Sequence, residues 1–302
     1  MPEASFYSTA DVSKALGVSA STIKRWVDSG VLTAHTTAGG HRKIPHGELL
    51  RFVRQRNFPL QDLSLLNLGR HPQEKDTHHL SDSLSNALLE ADVQLMRSVI
   101  HGAYAAGMSI EEIGDAVVAP AMHRLGDLWE KGRIDVMHEH RGTLLCVGIL
   151  HELKSALEAT TAKDRPIAVG GSPEGDHTLM GGLLVEMVLI DAGWRVVNLG
   201  PHTPLESFRQ ALRELHPRMI WLSATHFLDR QVFLQEYAEF HEEAHQAGVA
   251  IAIGGRGIDK SLRAMMPCTF HGENLTRFAA FARTLYSPPQ IPRRGRPVKR
   301  MN

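Results

Sequence analysis

Residues 166–182 read PIAVGGSPEGDHTLMGG. A short apolar run leads into a Gly/Ser/Pro-rich turn carrying Glu174, Asp176 and His177, and a glycine pair opens the next apolar stretch. That order predicts strand, loop and helix. The rhythm continues downstream. Strands are expected over 166–170, 194–199, 218–222 and 249–253, with helices over 178–192, 204–215 and 230–247 between them. Strands alternating with helices of roughly 10–18 residues predict a doubly wound parallel sheet. Ligands of such sheets collect beyond the carboxyl ends of the strands. The unusual residues cluster there: His177 after the first strand, Ser223-Ala224-Thr225 closing the third, and Gly254-Gly255 closing the fourth. A histidine in that place can be a general base, a metal ligand or a plain loop residue. Small residues beside it leave a slot between sheet and helix, and the hydroxyls can bind polar groups within it.

Upstream, 81–162 reads as a four-helix bundle. Ser109-Ile110-Glu111-Glu112 is a capping box. Ile110, Ile113 and Val117 follow at helical spacing, and Pro120 predicts a kink or break. Asp135 can cap a last helix whose Leu144, Leu145, Val147, Leu150 and Leu153 give a broad apolar face. Trp129 falls at one helix end, and Glu139-His140 in the first turn of the next; by themselves they read as an aromatic and a polar turn. Residues 61–80 read as a linker, with Pro72 and a solvated His78-His79 pair.

The N-terminal 1–60 carries Ser8 or Thr9 as a helix cap, Gly17 as its stop, Ser19 or Ser21 as a second cap, and Ile23, Trp26 and Val27 on an inner face. Extended stretches Val31–Thr36 and His41–Ile44 flank Thr37-Ala38-Gly39-Gly40, a hairpin signal. A helix from Pro45 through Arg56 closes the unit. Thr22, Lys24 and Arg25 lie on the outer side of the second helix; His41, Arg42 and Lys43 follow the glycine turn. A helix for the major groove beside a basic hairpin for phosphates is a double-stranded DNA reader. The alternative is a small protein-docking module.

The 302 residues hold 33 Lys/Arg and 33 Asp/Glu, but not evenly. Residues 1–60 carry +4, 287–302 carry +5, and the stretch between carries −9. A polyanion partner is therefore expected at the ends only. No apolar run reaches the roughly 20 residues of a membrane span. Two cysteines make no disulfide framework, so a cytoplasmic setting is expected. The tail's Arg294-Gly295-Arg296-Pro297 resembles an AT-hook core.

Three resemblances join these parts. Thr9–Arg56, with Ala38-Gly39-Gly40-His41-Arg42-Lys43 as its wing, resembles the winged helix-turn-helix of MerR-family regulators. His177, Ser223-Ala224-Thr225 and Gly254-Gly255 resemble the cobalamin-binding fold of methionine synthase and related mutases, although Gly175 stands where that pattern has Asp and Met180 where it has Gly. The whole order, with Trp129, nine residues, then Glu139-His140, resembles CarH/LitR-type repressors, which use adenosylcobalamin as a light sensor. What these resemblances imply is a set of expectations. His177 ligates cobalt from below, with Asp176 or Glu174 standing in for the missing carboxylate. Ser223, Thr225, Gly254 and Gly255 form the slot for the displaced base. Trp129 and Val136 cover the adenosyl group, and Glu139 and His140 hold its polar edges. The dark holo-protein is a homotetramer on its DNA operator and releases it in light; it is not an enzyme. Glu130 stands where a histidine follows the tryptophan, leaving water or His138 as the upper ligand in the lit state. A light-independent B12 sensor and the corrinoid protein of a methyltransferase or mutase are the alternatives. The expected domain map is 1–60, linker 61–80, bundle 81–162, cobalamin-binding 163–286 and basic tail 287–302.

Overall fold

The computed structural model describes residues 6–56, 58, 76–158 and 164–288; the AT-hook-like tail lies outside them. Ser8 caps α1 (Thr9–Leu16) through a capping box with Asp11, and Gly17 closes it in the left-handed region at φ 63°. Ser19 caps α2 (Ala20–Asp28). The hairpin pairs β2 (His35–Thr36) with β3 (Arg42–Pro45). Of the expected extended stretch 31–36 only His35–Thr36 is strand, with bends at 31–32, and two more details differ from the sequence reading. A strand before α1, β1 (Phe6–Ser8), pairs antiparallel with β3 and makes a three-stranded sheet. Pro45 ends β3 instead of opening α3 (His46–Arg56). It has no N–H for a further ladder bond, so a strand end suits it.

Helix α4 (Thr77–Glu90) starts inside the stretch expected to be linker. Asp76 accepts from the amides of His78 and His79, and buried Leu80 already belongs to the core. Helix α5 (Val93–Ala105) follows. Of the expected kink or break at Pro120, a break is absent. Helix α6 (Ile110–Ile113) runs through a π-helical turn, Gly114–Val118, into α7 (Ala119–Glu130). Proline cannot donate to the carbonyl four residues earlier, and wider winding just before it keeps the helix continuous. Asp135 accepts from the Met137 amide at the start of α8 (Val136–Glu158).

The second half is a five-stranded parallel sheet in the order β5-β4-β6-β7-β8. Its members are β4 (Ile167–Pro173), β5 (Arg195–Thr203), β6 (Met219–Ser223), β7 (Ala250–Gly254) and β8 (Phe270–Gly272). Strand β8 was not foreseen; nor were α12 (Lys260–Met265) and α13 (Leu275–Leu285). A three-residue strand carries no periodic signal. Helix α13 did, because Leu275, Phe278, Ala279 and Ala282 recur at helical spacing behind the Asn274 cap. Helices α9 (Met180–Asp191) and α13 cover one face, whose core is continuous with that of the helical layer and the N-terminal unit. Helices α10 (Leu205–Leu215) and α11 (Arg230–Gln246) cover the other, around Val169, Ile220, Leu222 and Ile251. Strand β4 lies between β5 and β6, so the winding direction reverses beside it, and His177 hangs over that crevice.

Three contacts, among others, tie the helical layer to its neighbours. Gly47 of α3 packs on Ala156 of α8 so closely that a Cβ would come 3.3 Å from it. Lys154 of α8 pairs with Glu186 of α9 at 2.6 Å. Asp115, in the π turn, accepts from the amides of Leu275 and Thr276, both at 2.9 Å, and so caps α13. Among the described residues no helix is long and apolar enough to cross a membrane, and Cys146 and Cys268 are free.

Candidate functional site

The β4–α9 loop is shaped by one backbone constraint. Gly175 has φ 85°, and a Cβ there would lie 2.7 Å from Leu228 Cβ. An aspartate at 175 is therefore excluded twice, by the left-handed backbone and by contact. The neighbouring carboxylate does not replace it. Asp176 is 1% exposed. It accepts from the Thr178 amide at 2.9 Å and from the amides of Thr225 and His226. It ties the loop to the end of β6, and both its oxygens are spent on backbone. Glu174 is exposed.

The residue that meets His177 is another histidine. The rings of His177 and His202 stack at 4.9 Å with an 18° interplanar angle. His202 sits at φ 51°, its amide donates to Asp176 O at 2.7 Å, and its Nδ1 accepts from the Gly175 amide at 2.9 Å. The pair of bonds fixes the His202 ring, which in turn backs an exposed His177 imidazole. The sequence expectations give His202, between the second strand and the next helix, no role. No local pattern reports that β5 would lay His202 beside His177.

Below this loop the sheet and its helices leave a cleft of about 200 Å³, lined by Gly181, Trp221, Ser223, Gly254, Gly255 and residues of β8, α13 and the π turn. Ser223, Gly254 and Gly272 stand in register on neighbouring strands. The space depends on hydrogen side chains: a Cβ at Gly181 would lie 2.8 Å from Ser223 Oγ, and one at Gly255, at φ 103°, would lie 2.3 Å from Ala224 O. Three of the four expected slot residues thus line one cavity. The fourth, Thr225, is half-buried just beyond, with its amide on Asp176. Trp221, in the wall, was not anticipated. A second cleft of about 270 Å³ lies between α8 and the loops, with His151, Lys154, Thr178, Leu179, Asn198 and Gly200 among its walls.

The four residues expected on the upper side lie at the α7–α8 junction. Trp129 is 49% and Val136 42% exposed, beside exposed Met137 and Leu144. Glu139 accepts from Thr143 Oγ1 at 2.9 Å and lies 3.6 Å from His140 Nε2. His138 Nδ1 is buried without a hydrogen-bond partner, and Glu130 is exposed. The sheet side likewise presents exposed Leu179 and Leu228.

On the N-terminal unit, Lys24 and Arg25 of α2 and His41 of the hairpin turn are exposed. Lys43 is half-buried on β3. Thr22 helps hold the helix start, its Oγ1 2.9 Å from Ser19 Oγ. Arg42 is engaged: its guanidinium pairs with Asp28 at the end of α2, at 2.6 Å. That bond fixes the hairpin against the helix and occupies a charge expected to face a partner. Among the described residues there is no cluster of three or more His, Cys, Asp or Glu side chains that could hold a metal ion unaided.

Residues 80–154 match the family model described as B12 binding domain, and residues 6–57 match the helix-turn-helix domain model. Trimethylamine corrinoid protein 1 of Methanosarcina mazei is 24% identical over 63% of this chain and 89% of its own length. The HTH-type transcriptional repressor CarA of Myxococcus xanthus is 29% identical over 52% of each chain. The structure of the monomethylamine corrinoid protein of Methanosarcina barkeri superposes with a TM-score of 0.58 at 20% identity, over 70% of this chain and all of that one. This chain thus joins a helix-turn-helix domain to a B12-binding module built on the fold of a corrinoid protein.

Proposed function

We propose that this protein is a transcriptional repressor whose grip on DNA follows a bound adenosylcobalamin and, through it, light. The observation that carries the proposal is that the helix-turn-helix unit and the face of the sheet lining the slot share one continuous apolar core. An enzyme's corrinoid carrier has no evident use for a DNA-reading unit, although the corrinoid relatives, matched over most of their own length, favour that as the second reading.

The residues fit the cofactor. His177 is exposed and backed by His202, so its imidazole is free to meet a cobalt ion. Its orientation comes from ring stacking in place of a carboxylate. Ser223, Gly254 and Gly255, with Thr225 beside them, would receive the displaced base and nucleotide tail in the glycine-walled slot. Trp129 and Val136 would cover the adenosyl group, with Glu139 and His140 at its polar edges. When bound, adenosylcobalamin supplies a cobalt–carbon bond that visible light breaks. The chain's part is to read both faces of that ligand with two domains. Lys154–Glu186 and the Asp115 cap on α13 set the spacing of those domains. A ligand touching both biases that spacing, as a two-state element requires. We read the three-stranded N-terminal unit as a winged helix, the helical layer as a four-helix bundle, and the dark state as a homotetramer on its operator. Linked protomers gain DNA affinity from effective concentration, so loss of the assembly weakens binding without altering the DNA contacts.

The test is to load the chain with adenosylcobalamin in the dark and follow its spectrum, solution mass and operator affinity before and after green light. The expected result is a histidine-ligated spectrum that His177→Ala abolishes, with mass and affinity falling together on illumination. Binding without any response to light would leave a B12-level sensor. Equal mass in dark and light with different affinity would replace the oligomer mechanism by a direct domain rearrangement.

A further inference from the structure

Trp221 stands at a place in the slot where an indole has a specific consequence. On β6 it shares a face with Ser223, because side chains two apart on a strand point the same way. Ser223 is at the carboxyl end of the strand, where the slot opens; Trp221 lies about 6.6 Å farther in at the usual strand rise. Its neighbours across the sheet are Gly170 on β4 and Ala252 on β7. Both are small, and a Cβ at Gly170 would lie 2.0 Å from the indole ring. The site is therefore built around the ring. Trp221 is 2% exposed, lines the cleft, and its Nε1 is a buried donor without a hydrogen-bond partner. A buried, unpaired N–H is costly and uncommon.

The chemistry of the tail supplies the rest of the argument, which rests on the corrinoid reading above. Once an imidazole of the protein holds the metal, the lower base is the free end of the nucleotide tail, so the base enters such a slot first. Corrinoids differ in that base. A 5,6-dimethylbenzimidazole carries two methyl groups on its far edge, whereas a purine carries ring nitrogens that accept hydrogen bonds. Methyl groups would leave the Trp221 N–H unpaired; a purine edge seated deep enough to reach it would satisfy it. A site with a buried donor discriminates against analogues that lack the acceptor.

We propose that Trp221 is a specificity-determining residue that reads the lower base, and that the slot prefers corrinoids with an acceptor on the buried edge of that base, the purine class, over those ending in methyl groups. The upper adenosyl group is not involved in this choice.

The test uses the full chain and three probes: an adenine-based cobamide, cobalamin with its dimethylbenzimidazole, and cobinamide, which has no base. Binding is followed by the visible corrin spectrum and by calorimetry. The parent should bind the adenine-based cobamide about tenfold tighter than cobalamin, the scale of one hydrogen bond. Trp221→Phe, which keeps a flat ring over Gly170, should erase that advantage and leave cobinamide affinity unchanged. Equal or tighter binding of cobalamin by the parent overturns the proposal, and that ranking decides even where the variant fails to fold. A variant that loses affinity for all three probes alike also overturns it, because the indole is then only filling space. Binding of none of the three by the parent sinks the corrinoid reading itself, and this inference with it.

Discussion

Gly175 shows how one residue type settles a local question. A carboxylate at this position would be the conventional partner for a metal-bound imidazole, since such groups orient the ring. The backbone at φ 85° and the approach of Leu228 exclude it, and the group that meets the His177 ring is the stacked ring of His202. Gly175→Asp is therefore expected to destabilise the chain by about 1–3 kcal/mol, the cost of strained left-handed backbone in a side chain that has to displace a neighbour. Thermal or urea denaturation measures this. A variant as stable as the parent would show that the loop relaxes freely and that Gly175 is incidental. His202→Ala is expected to leave folding nearly intact while weakening corrinoid binding, because it frees His177 to rotate without removing it. Titration of the corrin spectrum reads that change directly.

At the scale of elements, two of the contacts that hold the helical layer in place can be tested. The first is the Asp115 cap on α13, made from within a π-helical turn. Removing a cap costs about 0.5–2 kcal/mol, so Asp115→Ala should lower the unfolding free energy by that amount and move the urea midpoint down with it. Asp115→Asn, which keeps an acceptor, should recover part of it. Equal midpoints in all three proteins would mean that the cap carries no net weight. The second contact joins the DNA-reading unit to the helical layer. Tyr7 Oη lies 2.8 Å from His46 Nδ1, His46 Nε2 lies 2.8 Å from His101 Nδ1, and His101 Nε2 lies 3.0 Å from the carbonyl of Ile149. The carbonyl can only accept, so His101 donates from Nε2, His46 donates to His101, and Tyr7 donates to His46. Every member is satisfied with both rings neutral. Burial, with the neighbouring His101 and Arg97, pushes His46 down to about 3. Burial also lowers His101 to about 4, against the bond to Ile149 and the Glu152 carboxylate. Both values lie below the ordinary 6.5, so the unfolded chain takes up protons first. The stability from this relay is complete above pH 6.5 and declines as pH falls toward 4 and 3. The decline is about 1.4 kcal/mol per pH unit for each histidine that stays neutral in the fold. Urea midpoints between pH 7 and pH 5 should fall accordingly, and less steeply in His101→Asn. A flat profile in the parent would contradict the neutral relay.

For the molecule as a whole, charge and fold act at different places. The N-terminal unit carries +4 while the chain from 61 to 286 carries −9, so DNA attraction belongs to that unit and is screened by salt. Lys24→Ala or Arg25→Ala should each reduce the log–log salt slope of operator binding by about one per protomer. Arg42→Ala should change the slope less, because its guanidinium already faces Asp28, and should instead loosen the hairpin. Full slopes in the Lys24 and Arg25 variants, measured by binding titration at several salt concentrations, would remove α2 from the DNA surface.

How much of this was written in the chain follows from the range of each interaction. Caps, glycine stops, the hairpin turn and the alternation of strand and helix depend on residues a few positions apart. Ser8, Ser19, Gly17, Ser109, Asp135 and the first four strands of the parallel sheet were legible for that reason. Small residues at strand ends marked the slot, since closeness of backbones needs glycine wherever it occurs. Tertiary structure alone decided what spans long separations: Tyr7, His46 and His101 in one relay, Asp115 on α13, His202 behind His177, and Trp221 between Gly170 and Ala252. These meet because separate elements pack against one another, and a contact of that kind leaves no period or spacing in the sequence from which it could be read.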